Sequence, residues 1–173
     1  GLEGKSDLFF MGKLDYQPNQ QALAFMSNRL APALEKAAPG RFCILVCGGP
    51  VPRGAFHPLM VFAGRVPTLA PYLRRADLCI APLFSGSGTR LKILEYLAAR
   101  KPVAATPKAA EGIDCESGRH LLLAEPDAFM DAVIQLNADH ALSQQLSENG
   151  FELVRQRYDW SRIRPLWRQW ILT

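Results

Sequence analysis

Apolar residues in this chain gather in short unbroken runs, and between the runs they recur at helical spacing. The pattern is sharpest from Leu78 to Pro107. An apolar run, Leu78–Leu83, ends in a loop of small residues, Ser85-Gly86-Ser87-Gly88-Thr89. A helical segment follows and stops at Arg100-Lys101-Pro102, before a second apolar run at Val103–Ala105. This order predicts strand, tight loop, helix and strand. On a helix of 3.6 residues per turn, Leu91, Leu94, Leu97 and Ala98 form the apolar arc. Ser87, Leu91 and Glu95 then share one ridge at its edge.

Similar alternation extends to both sides. Asp7–Met11 reads as a buried strand ending in the loop Gly12–Asn19, after which Ala22, Leu23, Phe25, Met26, Leu30 and Leu34 carry a helical period from Pro18 to Gly40. Arg41–Cys47 is a second strand, closed by the turn Gly48-Gly49-Pro50. Met60–Val66 is a third, followed by a short helix at Leu69–Arg75. Beyond the central unit come a loop and turn at Pro107–Ile113, a strand at His120–Ala124, and amphipathic helices at Asp127–Asn137 and Ala141–Arg157. From Tyr158 to Leu172, Ile163, Leu166, Trp167, Trp170 and Ile171 recur on one helical face, with Arg162, Arg164 and Arg168 turned away. Three fates stay open for that stripe: packing on its own domain, crossing to another domain or a second copy, and a basic-aromatic contact with a membrane.

Composition narrows the class. With 173 residues, 49% of them hydrophobic, the chain has enough material for one domain with a proper core and too little for two of ordinary size. The first six residues lack an initiating methionine and read as a linker or tag remnant of a piece cut from a larger protein. No apolar stretch approaches the ~20 residues that cross a bilayer, and no signal sequence opens the chain. Cys43, Cys47, Cys79 and Cys115 read as buried free thiols, which fits a reducing, cytoplasmic setting, and His57, His120 and His140 share no ligand spacing. The formal charge of +4 is scattered rather than gathered in a stripe, so a phosphorylated ligand suits it and a nucleic acid does not.

The candidate chemistry sits in the central unit. A small-residue loop at the carboxyl end of a parallel strand lies on the edge where open α/β sheets collect ligands. Free N–H groups of Gly88, Thr89 and Arg90 at the expected helix start favour an anion such as a diphosphate. Any doubly wound domain also needs small residues in such a turn, so the loop by itself leaves the plain structural role open. Glu95, farther along the same helix, has the two acceptor oxygens that a vicinal diol such as a ribose requires. A solvated pairing with Lys92 is the other reading, worth only ~0.2–0.5 kcal/mol.

These residues carry a family resemblance. SGTRLKILEYLAARKPVAATPKAAEGI, GKLDYQPNQQALAF and a late RYDW look like the nucleotide-sugar-binding half of retaining GT-B-fold glycosyltransferases of the group 1, or family 4, type. The resemblance spans about Asp7 to Trp160 and implies an α/β, Rossmann-like three-layer sandwich of about six parallel strands. Residues 7–160 would be the donor-binding domain, and 161–173 an amphipathic helix able to pack on an absent N-terminal, acceptor-binding domain. It further implies that Glu95 holds the ribose hydroxyls, that the main chain around Arg65, Val66 and Pro67 cradles the base, and that Gly12, Ser87, Gly88, Thr89 and Arg90 face the donor. Lys13 stands where the family places a diphosphate-binding arginine, and Asn19 where it places a lysine. Ser87 replaces a glutamate that touches the donor sugar in many members.

The expected activity is therefore hexosyl transfer from a nucleotide diphosphate-sugar to a glycan or glycolipid acceptor, with retention, in cell-envelope polysaccharide synthesis. Lys13 would act on the leaving diphosphate without a metal or other cofactor. The full protein would be cytoplasmic or peripheral to the inner face of a membrane. Two rival readings stay open: a nucleotide-sugar epimerase of the same fold, and a degenerate module that binds a nucleotide or a partner without turnover.

Overall fold

The computed structural model describes residues 5–159 and 161. The linker expected at 1–6 is thus described only at Lys5 and Ser6. The amphipathic helix expected over 161–173 lies outside the described residues except for Ser161.

Six strands, β1 (Ser6–Met11), β2 (Phe42–Cys47), β3 (Met60–Gly64), β4 (Leu78–Ala81), β5 (Val103–Ala105) and β6 (Leu122–Leu123), form one parallel sheet in the order β3-β2-β1-β4-β5-β6. β2, β4 and β5 are buried along their whole length and β1 along all but its first residue. A parallel strand with both faces covered carries no polar alternation, which is why these strands read as unbroken apolar runs. β3, at the sheet edge, buries only Met60 fully.

The first helical region joins α1 (Gln17–Phe25), a π-helical turn (Met26–Leu30) and α2 (Ala31–Ala37). Pro32 in α2 has no N–H to donate and crowds the carbonyl one turn back, so the widened turn just before it accommodates the ring without ending the helix. The remaining helices are α3 (Ala70–Arg75), α4 (Leu91–Ala98), α5 (Pro107–Ala110), α6 (Phe129–Ala138) and α7 (His140–Arg157). Asp139 caps α7 by accepting a hydrogen bond from the Leu142 N–H at 2.9 Å.

The central unit departs from the sequence expectation in three respects. β4 ends at Ala81 rather than Leu83. α4 begins at Leu91, so Gly88 and Thr89 are loop residues and Ser87 does not share a helical ridge with Glu95. The buried face of α4 is Ile93, Tyr96 and Leu97, whereas Leu91 is 59% exposed, Ala98 is exposed and Leu94 half-buried. Tyr96 decides that face. Its ring meets Phe9 edge-on at 5.9 Å, and its hydroxyl accepts a hydrogen bond from the Met11 N–H at 3.0 Å, docking α4 on the carboxyl end of β1.

Candidate functional site

The strand order reverses between β1 and β4, and in open α/β sheets the crevice beyond the strand ends at such a point collects ligands. Two hollows open at this edge. One is a cleft of about 350 Å³ between the ends of β1 and β2, the segment after β3, and α4. Gly12, Gly48, Arg65, Val66, Lys92 and Glu95 are among the residues that line it. The other, of about 610 Å³, is bordered by Lys13, Gly49, Pro50 and Arg65. Arg65 borders both.

Two glycines let the rims come together. Gly48, at φ +139°, lies so near the loop after β1 that a Cβ there would stand 1.8 Å from the Gly12 carbonyl oxygen. A Cβ on Gly12 would fall 2.6 Å from Asn19 Nδ2. Gly48 therefore excludes any side chain, and a side chain at Gly12 would displace Asn19.

Asn19 is 6% exposed and tied on both sides of its amide. Nδ2 donates to the Lys13 carbonyl at 2.8 Å, and Oδ1 accepts from the Lys92 ammonium at 3.0 Å. Asn19 thus joins the loop after β1 to α4. Lys13 itself is exposed, its side chain 75% accessible, with Asp15 at 3.7 Å.

On α4, Lys92 and Glu95 stand one turn apart and line the same cleft. Glu95 is an exposed residue, and partial desolvation against the cleft wall raises its carboxyl pKa. Desolvation pushes Lys92 down to about 7. Cys47 also lines the cleft. Its burial raises the thiol to about 11, so it remains protonated near neutrality.

Ser87, Gly88 and Thr89 are exposed on the loop before α4 and do not line the cleft. Ser85 Oγ donates to Gln21 Oε1 at 2.6 Å, which ties the start of that loop to α1. Arg90 turns inward. It is 9% exposed, donating to the Gly86 carbonyl at 3.1 Å and the Glu111 carboxylate at 2.8 Å. Glu111 also accepts from Lys108 at 2.7 Å, and these two cations hold its carboxyl below the usual range. Arg90 therefore fastens the loop rather than facing the cleft.

Of the residues singled out from sequence, Gly12, Val66 and Glu95 meet at the cleft, and Lys13 stands on the neighbouring rim. Sequence reasoning finds in Lys92 only a solvated partner for Glu95, and no ion pair joins the two. The available signal was a cation at the second position of a helix, where the macrodipole opposes it.

A doubly wound parallel sheet with cations and a carboxylate gathered at its switch point defines a Rossmann-like domain with a ligand cleft. More narrowly, the chain belongs to the glycosyl transferases group 1 family, which matches residues 5–139. By sequence alone it matches no curated protein.

Among solved structures, HepE of Anabaena, crystallised with UDP and glucose, is similar with a TM-score of 0.80 at 15% identity. The match covers 100% of this chain and 50% of HepE, so the chain spans about half the length of that protein. Sucrose-phosphate synthase of Thermosynechococcus elongatus is similar with a TM-score of 0.73 at 20% identity, over 99% of this chain and 47% of the synthase. The C-terminal domain of LpcC, a glycosyl transferase group 1 family protein from Francisella tularensis, gives 0.71 at 19% identity, over 90% of this chain and 86% of that one. Together they place the fold as the Rossmann-like half of a GT-B glycosyltransferase.

Proposed function

We propose that this chain is the donor-binding half of a glycosyltransferase. Paired with an acceptor-binding domain, it moves a hexose from a nucleoside diphosphate-sugar to a glycan or glycolipid, with retention of anomeric configuration. One observation carries the reading: a carboxylate suited to a diol and an ammonium suited to a phosphate stand one turn apart on α4, in a cleft whose opposite rim is bare glycine backbone. In this scheme Glu95 accepts hydrogen bonds from both ribose hydroxyls, and the backbone at Val66 lies along the base. Lys13, on the adjoining rim, stabilises charge on the departing diphosphate, a role a side-chain cation fills without a metal. The UDP held by HepE makes a uridine nucleotide the first to try.

Calorimetric titration of the chain with UDP, GDP and ADP tests the reading. One diphosphate is expected to bind saturably. Glu95→Ala is expected to weaken it roughly 30-fold, or about 2 kcal/mol, since a carboxylate hydrogen bond contributes that order. No binding by the unaltered chain at millimolar nucleotide, or an unchanged affinity in Glu95→Ala, overturns it. Retention is read from the anomeric configuration of the product made by the full-length protein.

A second reading, a nucleotide-binding module without turnover, draws on Asn19 and Ser87. The first is uncharged and internally bonded, and the second is exposed away from the cleft. Turnover by the full-length protein, with the donor checked for epimerisation, separates transferase, epimerase and inert module.

A further inference from the structure

Lys92 is the second residue of α4, with its side chain packed into the cleft wall. Its ammonium donates to Asn19 Oδ1 at 3.0 Å and lies 3.8 Å from the centroid of the Phe10 ring. Among the described residues, no carboxylate comes within ion-pair distance of it. Three features oppose the charge: desolvation, the positive end of a helix, and the lack of a counter-ion. A neutral amide oxygen and one aromatic face offset only part of that cost.

The surrounding groups do not change the balance. Glu95 lines the same cleft from the next turn of α4 without pairing. Arg65, beyond β3, adds a like charge, Cys47 at the end of β2 is a protonated thiol, and Lys13, after β1, is engaged with Asp15. The cleft therefore holds a desolvated cation whose missing partner is an anion.

We propose that the Lys92 ammonium is the charge that receives the donor's diphosphate in this cleft. This rests on the donor-site reading above. An oxyanion beside Nζ supplies the counter-charge that the fold omits, and the bound amine is then held fully protonated. Because burial pushes the empty-site amine down to about 7, above that pH binding draws one proton from solvent to form the third N–H bond of the ammonium. The empty protein carries the opposite linkage. The unfolded lysine, with its ordinary value of 10.5, binds more protons than the folded one between about pH 7 and 10.5. This group therefore makes the empty chain more stable as pH rises through that window, and the cost of its charge is complete below pH 7.

The test is titration of the 173-residue chain with UDP, GDP and ADP at pH 8 in buffers of differing ionisation enthalpy, beside Lys92→Met and Lys92→Arg, with melting of each empty chain. Close to one proton taken up per nucleotide is expected for the unaltered chain. Lys92→Met is expected to lose that uptake and weaken binding roughly 100-fold while the empty chain melts higher, since an apolar stem of similar length replaces an amine that must give up its proton to be buried. Lys92→Arg is expected to bind without proton uptake, because a guanidinium stays charged. Nucleotide binding by the unaltered chain with no proton uptake overturns this inference and leaves the donor site standing. So does a Lys92→Met chain that binds undiminished or melts lower. Failure of all three nucleotides to bind the unaltered chain removes the donor-site reading and this inference with it.

Discussion

The two faces of α4 obey different rules. Its inner face, Ile93, Tyr96 and Leu97, is buried and packed against β1 and α7, and the Tyr96 hydroxyl is matched to a backbone N–H. Its outer face presents Leu91, Lys92 and Glu95, of which Leu91 and Glu95 are exposed and Lys92 lacks a carboxylate. Arg90, just before the helix, sharpens the contrast. It is as buried as a core residue, yet one end of its guanidinium is bonded to a carbonyl and paired with a carboxylate, while its Nε has no partner. A buried charge whose counter-ion comes from the fold itself belongs to the scaffold. One left short of a counter-ion on the wall of a cleft belongs to the site.

The inner face should break first. Gly150 of α7 lies so close to α4 that a Cβ there would stand 2.5 Å from Leu97 Cδ2 and 3.0 Å from the His120 carbonyl oxygen. Gly150→Leu is therefore expected to destabilise by about 3 kcal/mol or more, since the fully buried Leu97 has no room to move aside and the His120 carbonyl behind it is backbone. A denaturant midpoint near that of the unaltered protein would mean that α4 and α7 part easily. Tyr96→Phe keeps the ring and strands the buried Met11 N–H, for an expected loss of about 2 kcal/mol in the same measurement. The solvent-exposed end of the outer face should hardly respond. Leu91→Gln is expected to move stability by less than about 0.5 kcal/mol, and a loss the size of a core truncation would restore the apolar arc drawn from periodicity alone.

That arc shows where sequence reasoning stopped. Leu91, Leu94 and Leu97 make one acceptable stripe and Ile93, Tyr96 and Leu97 another, because a short helix dense in apolar residues satisfies the helical period in two rotations. The choice between them was made by Phe9 and the Met11 N–H, on a strand more than 80 residues earlier in the chain. The same distance hid Lys92. Its partners, Asn19 and Phe10, lie 73 and 82 residues before it, and the sequence offered only Glu95 nearby. Arg90 was assigned to the anion for want of Glu111, which supplies its counter-charge from the turn after α5.

The sequence by itself determined the six strands and the longer helices, since continuous apolar runs and helical periods are local properties of adjacent residues; Pro107–Ala110, which reads as loop and turn, is instead the short helix α5, too brief to show a period. It also placed Gly12, Val66 and Glu95 among the candidates, through motifs that are themselves local. Tertiary structure alone decided the order of the strands, the rotation of α4, and which of two neighbouring cations is paired. Those depend on groups that folding brings together from distant parts of the chain. Whether a charge is buried, and whether it has a counter-ion, is a property of the assembled surroundings and has no meaning for the residue alone.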